Sequence, residues 1–285
     1  MGNFRLNKIA SHVQQFAICC MVWTLMAMPA IAQPADSIDV VVNAHRISEP
    51  INLDGRLDEE AYRNITPITR FIQQLPRSGE LATERTEAWV LFDDTNIYIS
   101  CRCWTEQPDR IVANDMRRDS SNLTRHDHFG VGLDTLYDGR NGFQFFVTAA
   151  GGMRDGFVTG ERYSADWNGV WDARTTRFDE GWIVEMRIPF KTLRYSSGRE
   201  QTWHIQFRRH VASKSEWTNL TALNPNWRVS GWNRFYAGAT LVGLEAPPPS
   251  TNLELKPYAI ARMTTDRVSN PTSENKVDGN VGFDV

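Results

Sequence analysis

The chain has 285 residues, 41% of them apolar and 23% charged, with a formal net charge of −3, a balance that excludes a disordered chain. That length is enough for one sizeable core with extra material, or for two small domains. A mildly acidic chain with no basic block argues against nucleic acid as a partner.

The first element is an export segment. Arg5 and Lys8 give a positive start, residues 16–28 a short apolar run, and Ala30-Ile31-Ala32 a small-residue cleavage site. The run is shorter than the about 20 residues a membrane-spanning helix needs. Residues 1–32 therefore read as a signal peptide, Gln33 as the first mature residue and the mature chain as exported. The residue directly after the cleavage point is Gln33 and not Cys, which argues against a lipid anchor. Cys101 and Cys103 remain after cleavage; two apart in a strand, they share a face as core positions rather than as a disulfide framework.

Residues 33–46 read as a short leader. From Ile51 onward, strand follows strand. Residues 86–92 and 97–104 alternate on either side of the polar turn Asp93-Asp94-Thr95-Asn96, which predicts a hairpin with one buried face. Phe129, Val131 and Leu133 share a face of the next strand; Asp138-Gly139-Arg140-Asn141-Gly142 is a turn, and residues 143–148 return as partner. Further strands are predicted over 171–178, 182–188 and 203–211. Helix signals are confined to Asp58-Glu59-Glu60-Ala61-Tyr62, with acids in its first turn, and to a single turn over 189–193. Many short strands between turns predict an all-β sandwich or barrel.

Residues 246–252, centred on Pro247-Pro248-Pro249-Ser250, read as a stiff linker. Beyond it Leu253, Leu255, Ala259, Ala261 and Met263 fall on one face, and Glu254, Lys256 and Arg262 on the other. A polar loop over 264–278 follows, and then Val281, Phe283 and Val285 alternate with polar residues. Residues 253–285 thus read as a β-hairpin. Two settings stay open on pattern alone: a soluble hairpin packed on the sandwich, or the start of a membrane barrel, whose strands run about 9–11 residues with this period.

Ten Trp suit both strand cores and sugar-binding faces, because a sugar's C–H face packs on an indole. Trp167, Trp171 and Trp232 are the stacking candidates, each weighed against a place in the core. Arg117 and Asp119 are candidates for bonds to sugar hydroxyls, weighed against a surface ion pair. Asp93, Asp94 and Asp134 are candidate calcium ligands, with turn capping as the other reading. His126 and His128 flank Asp127, yet no further His or Cys lies near enough in sequence to complete a metal site. No catalytic residue is assigned. Asp127 and Asp134 lie about 23 Å apart along a strand, beyond the roughly 5–9.5 Å of a glycoside hydrolase's carboxylate pair.

Four segments in order resemble the family 9 carbohydrate-binding module. They are residues 51–62 with Asp54-Gly55, residues 89–99, the strand framed by Asp127 and Asp134, and Gly181-Trp182-Ile183-Val184-Glu185-Met186-Arg187-Ile188-Pro189-Phe190. The resemblance spans roughly 47–243 and places the module at 47–245. It implies an antiparallel, jelly-roll-like β-sandwich that holds a glycan end between two tryptophans, with calcium in some members. One of those tryptophans falls on Trp232 and the other on Thr124; the family's Glu and Arg fall on Gly130 and Phe146. The resemblance implies a glycan ligand and no catalysis by this chain, although such modules travel with enzymes that hydrolyse O-glycosyl bonds and serve carbohydrate catabolism. A glycoside hydrolase stays as an alternative.

A narrower likeness rests on Arg117-Arg118-Asp119, Leu133-Asp134-Thr135, residues 151–156 and Leu255-Lys256-Pro257-Tyr258. These are similar to an uncharacterised bacterial group that carries the module ahead of an outer-membrane β-barrel. It implies a Gram-negative periplasm or outer membrane, and a barrel start at 253–285. In that setting the module is a periplasmic or surface domain, with or without sugar binding.

Overall fold

The computed structural model describes residues 40–249, 256–268 and 273–284, so residues 1–32, read from sequence as a signal peptide, lie outside the described residues. Among them, strands form sheets of nine, five and two members. The nine-stranded sheet holds β1 (Val41–Asn43), β3 (Ile72–Leu75), β6 (His128–Asp134), β7 (Asn141–Thr148), β8 (Met153–Thr159), β9 (Arg162–Ser164), β12 (Glu200–Val211), β13 (Glu216–Asn219) and β14 (Ala239–Glu245). Its spatial order is β1-β14-β12-β6-β7-β8-β9; β12 is long enough to carry both β14 and β13 along one edge, and β3 adds to β13. The five-stranded sheet runs β10-β11-β5-β4-β2, built from β2 (His45–Arg46), β4 (Thr86–Phe92), β5 (Asn96–Trp104), β10 (Asp172–Phe178) and β11 (Gly181–Pro189). This is the all-β sandwich expected from the alternation.

Alternation also explains the core. Phe129, Val131 and Leu133 of β6, Phe143 and Phe145 of β7 and Phe207 of β12 meet Val90, Ile99, Val184 and Met186 from the facing sheet. Each side chain of that size contributes about 1.5–3 kcal/mol on burial. Cys101 and Cys103 are free and buried in this core, their sulfurs 3.4 Å apart. The helix signal at 58–62 becomes the single turn-and-a-half α1 (Glu60–Asn64).

The sandwich begins earlier than Ile47. Val41–Asn43 pairs in parallel with β14, and His45–Arg46 pairs in parallel with β4, so residues 41–46 step from one sheet to the other. Runs of three and two residues are too short to display a period, and these two parallel pairs make the sheets mixed.

The C-terminal hairpin joins β15 (Lys256–Asp266) to β16 (Ser273–Asp284). The second strand starts well inside the stretch read as a polar loop. Its register pairs Ala259 with Val281 and Met263 with Val277. Among the described side chains both faces of this hairpin are exposed, so no buried side imposed an apolar period on residues 274–278. Leu253, Leu255 and Val285 lie outside the described residues.

Glu185 is buried where the 47–65 segment lies over the five-stranded sheet. It accepts hydrogen bonds from Gly55 N at 2.7 Å and Tyr62 Oη at 3.1 Å. Burial raises its pKa to about 7. A carboxyl raised above its unfolded value favours folding when protonated, so stability is lost as pH rises from about 4.5 through 7. Glu185→Gln is expected to raise the melting temperature at pH 8 by the equivalent of about 2–3 kcal/mol and to change it little at pH 4. Thermal unfolding at the two pH values checks this; an equal shift at both would remove the titration from the explanation.

Candidate functional site

The outer face of the nine-stranded sheet carries the residues that alternate with its core positions. Cross-strand register lays them out in rows. One row runs Asn219, Arg208, Gly130, Phe146, Arg154 across β13, β12, β6, β7 and β8. The row beside it runs Trp217, His210, His128. Polar and aromatic side chains in these rows border a cavity of about 450 Å³.

A return segment closes one side. Pro225–Asn233 forms 3-10 turns across the sheet and brings Val229, Ser230, Trp232 and Asn233 to the cavity. Gly130 is what lets it approach: a Cβ there would lie 2.8 Å from Phe146 Cβ and 2.9 Å from Trp232 Cη2. Within the segment, Arg228 has φ 49° and ψ −150°, a conformation that costs a residue with a side chain about 1–3 kcal/mol. Two bonds hold it there. Gln74 Nε2 donates to Arg228 O, and Arg208 Nη1 donates to Val229 O at 2.5 Å.

The floor is aromatic and cationic. Trp217 stacks on His210 with centroids 4.1 Å apart and planes at 22°. The guanidinium carbon of buried Arg208 lies 4.8 Å from the Trp232 ring and 5.2 Å from the Trp217 ring. Arg154 covers Tyr163 at 4.8 Å and Phe146 at 5.6 Å, in the range of cation–π attraction. Its Nε donates to Tyr163 Oη at 3.1 Å.

The two histidines are locked in one tautomer. His128 Nδ1 and His210 Nδ1 lie 2.9 and 2.8 Å from the same carbonyl, His126 O. A carbonyl only accepts, so each Nδ1 carries the proton and each Nε2 keeps a lone pair. Among the described residues neither Nε2 has a protein partner. Burial, then the neighbouring His210, pushes His128 far below its ordinary pKa; burial lowers His210 to about 4. Both rings are neutral at physiological pH and offer acceptors. Gln144, which donates to Asn233 Oδ1 at 3.0 Å, supplies a further amide.

Of the five sugar-binding candidates Trp167, Trp171, Trp232, Arg117 and Asp119, only Trp232 lines this cavity, and its own surface is 6% exposed; His128, weighed as a metal ligand from sequence, lines it too. Trp171 is 4% exposed and packs edge-on against Phe145 in the core. Trp167 folds back over the core edge, 4.8 Å from Phe143 and 5.7 Å from Phe145. Arg117 forms a two-point ion pair with Asp115, at 3.0 and 2.8 Å. Asp119 turns the chain at φ 59° and accepts from Asp155 N at 3.2 Å. None of these four reaches the cavity lining.

The Asp candidates for calcium are occupied by protein donors. Asp93 caps its turn through Thr95 N, Asn96 N and Tyr98 Oη, each at 2.7 Å. Asp94 pairs with Arg46 at 2.7 Å, and Asp134 accepts from Gly139 N at 2.7 Å and His204 Nδ1 at 2.8 Å. No group of three or more His, Cys, Asp or Glu among the described residues could hold a metal ion.

Thr124 and Phe146, the positions that depart from the family pattern, border the same cavity, and Gly130 lies under Trp232. Solved structures share the fold. A family 9 carbohydrate-binding module from Caldicellulosiruptor kristjanssonii in complex with cellotriose matches with a TM-score of 0.50 at 14% identity, over 74% of this chain and 96% of that one. The chain has the fold of a family 9 carbohydrate-binding module. The same module in complex with glucose matches at TM-score 0.51 and 13% identity, over 75% of this chain and 98% of the other. A Bacteroides uniformis protein to which carbohydrate binding is ascribed matches at TM-score 0.57 and 10% identity, over 73% and 99%. No protein-family model matches the sequence, and no curated protein matches it significantly.

Sequence reading missed Trp217, Arg208, His210 and Arg154. One signal was available: polar residues at Gln206, Arg208 and His210 alternate with Ile205, Phe207 and Val211, marking the outer face of β12.

Proposed function

We propose that this chain is an exported glycan-binding module that serves carbohydrate breakdown by binding rather than catalysis. The observation that carries the reading is the cavity on the outer face, where Trp217 and Trp232 flank Arg208 beside the neutral acceptors of His128 and His210. Apolar rings with a few convergent polar groups are what a sugar needs, because its C–H face is apolar and its hydroxyls are not. The named ligands of the structural neighbours, cellotriose and glucose, support the same class. A glycan array probed with the whole chain tests it. Trp217→Ala is expected to weaken binding about thirtyfold, the equivalent of about 2 kcal/mol for an aromatic anchor. Trp217 is only partly buried, so its melting temperature should change little. An array without a single binding glycan would end this reading.

A second reading concerns the hairpin. Ile260, Met263, Val277, Val281 and Phe283 are all more than 60% exposed. An apolar, unpaired strand edge of this kind is normally covered. We propose that β15 and β16 belong to outer-membrane β-structure, with the sandwich as its periplasmic or surface domain. The chain should float with anionic phospholipid vesicles, and Val281→Asp with Phe283→Asp should release it. Recovery of the unmodified chain in the lipid-free fraction would remove this reading.

A further inference from the structure

The charge of the cavity specifies its ligand further. Arg125, Arg154 and Arg208 line it, and no Asp or Glu among the described residues does, in a chain whose formal charge is −3. Chance does not favour that separation. Three carboxylates close to lining residues have arginines of their own. Asp115, which shares an adjoining hollow with Arg125, is held by Arg117 at 2.8 Å. Asp155, next to Arg154, is held by Arg118 at 2.5 Å, and Glu161, whose carbonyl accepts from Asn233, is held by Arg234 at 2.6 Å. Among the described residues, none of the three cavity arginines makes an ion pair.

Arg208 is the most telling. Burying an unpaired charge costs several kcal/mol, a cost that an anionic ligand would offset. Its guanidinium donates to neutral acceptors only: Asn219 Oδ1 at 3.1 Å, Val229 O at 2.5 Å and Gln74 Oε1 at 3.2 Å. Burial lowers its pKa to about 9, which still leaves it cationic at neutral pH. Those bonds fix the fork in place, and donors of the guanidinium remain for a ligand. Arg154 lies in the same row, three strand spacings or about 14 Å away across the sheet. It too is immobilised, by stacking on Tyr163 and Phe146. Fixed guanidinium groups on both sides of an aromatic floor favour a planar or tetrahedral anion carried on a ring.

We propose that the cavity takes an acidic sugar residue, one bearing a carboxylate or a sulfate, with its ring on Trp217 and its anion on Arg208 or Arg154. The inference rests on the glycan-binding reading and narrows it. His128 and His210 fit the same ligand, since their Nε2 atoms accept from hydroxyls while the arginines take the acid.

Calorimetric titration of the whole chain tests this with three trisaccharides: cellotriose, trigalacturonic acid, and a sulfated galactose trisaccharide. At low salt one of the acidic ligands is expected to bind at least about tenfold more tightly than cellotriose, and the tighter of the two identifies carboxylate or sulfate. The preference should shrink severalfold at about 0.5 M salt, where charges are screened. Arg154→Gln, on a partly exposed side chain, should reduce the preference while leaving the melting temperature in place. Cellotriose binding as tightly as both acidic ligands would overturn the acidic-sugar inference and leave the glycan-binding reading standing. Binding of none of the three would overturn the inference as well, with the glycan array then deciding the broader reading. Inorganic sulfate displacing the preferred ligand at equal affinity would show an ion site and overturn it too.

Discussion

Replacing Arg209 by methionine is expected to destabilise the fold by about 3–5 kcal/mol. Arg209 follows Arg208 in β12 and so points the other way, into the space between the sheets. There it is 1% exposed. Its Nη1 donates to Arg85 O at 2.8 Å and to Thr86 Oγ1 at 2.7 Å, and its Nη2 donates to Trp104 O. These acceptors belong to the ends of β4 and β5, so a single side chain ties the two sheets together. Methionine fills much of the volume but removes three charge-assisted hydrogen bonds, leaving Arg85 O with Trp104 N alone at 3.0 Å, and each lost bond costs about 1–3 kcal/mol. For a domain of this size the loss corresponds to a fall in melting temperature of roughly 10 °C. Urea unfolding followed by Trp fluorescence measures it, with Arg199→Met at the surface as control. A midpoint for Arg209→Met within error of the control would show that the bridge contributes nothing.

The contrast between these adjacent arginines explains what was legible in the sequence. Periodicity reports which residues share a face, and that was enough for β4, β5, β6 and β7, whose inner positions are apolar apart from Thr86 and Asn141 at the strand ends. Two of the four motif segments, residues 89–99 and the strand framed by Asp127 and Asp134, lie on those strands; residues 181–190 form β11, and residues 51–62 lead into α1. Periodicity does not report what a polar residue on the covered outer face will meet. Arg208 and His210 are buried because the 225–233 segment returns over them, and that segment has no period of its own. Its placement depends on Gly130, where the missing side chain admits Trp232. The same blindness acted in reverse on Trp167. Its sequence left a stacking role and a place in the core both open, and the chain folds back and sets the ring against Phe143. Trp217 sits in a four-residue strand, too short for alternation to mark it as a cavity wall.

Acid should loosen the cavity before it unfolds the remainder of the sandwich. His128 and His210 both need to be neutral in the folded state. Burial is the main cause for each; Arg208, already cationic, opposes a second positive charge, and neighbouring His126 adds to that opposition. Only the bond to His126 O works the other way. In an unfolded chain both rings titrate near 6.5, while His210 when folded titrates at about 4. The folded state therefore binds fewer protons across that window, and stability falls as pH drops from about 6.5 to 4. At about 1.4 kcal/mol per pH unit, the contribution of His210 is of order 3 kcal/mol. His128 acts in the same direction. Glu185 has the opposite sign over nearly the same range, since its protonation on acidification favours folding. The wild-type profile thus contains two opposing slopes, and a nearly flat curve between pH 7 and 4 is not evidence that neither group titrates. Substitution separates them. His210→Gln keeps a donor for His126 O and removes the titration, so it should be more stable than wild type at pH 4.5 and no more stable at pH 7.5. Urea midpoints at both pH values decide the matter, and a pH-independent difference would show that the ring acts through packing alone.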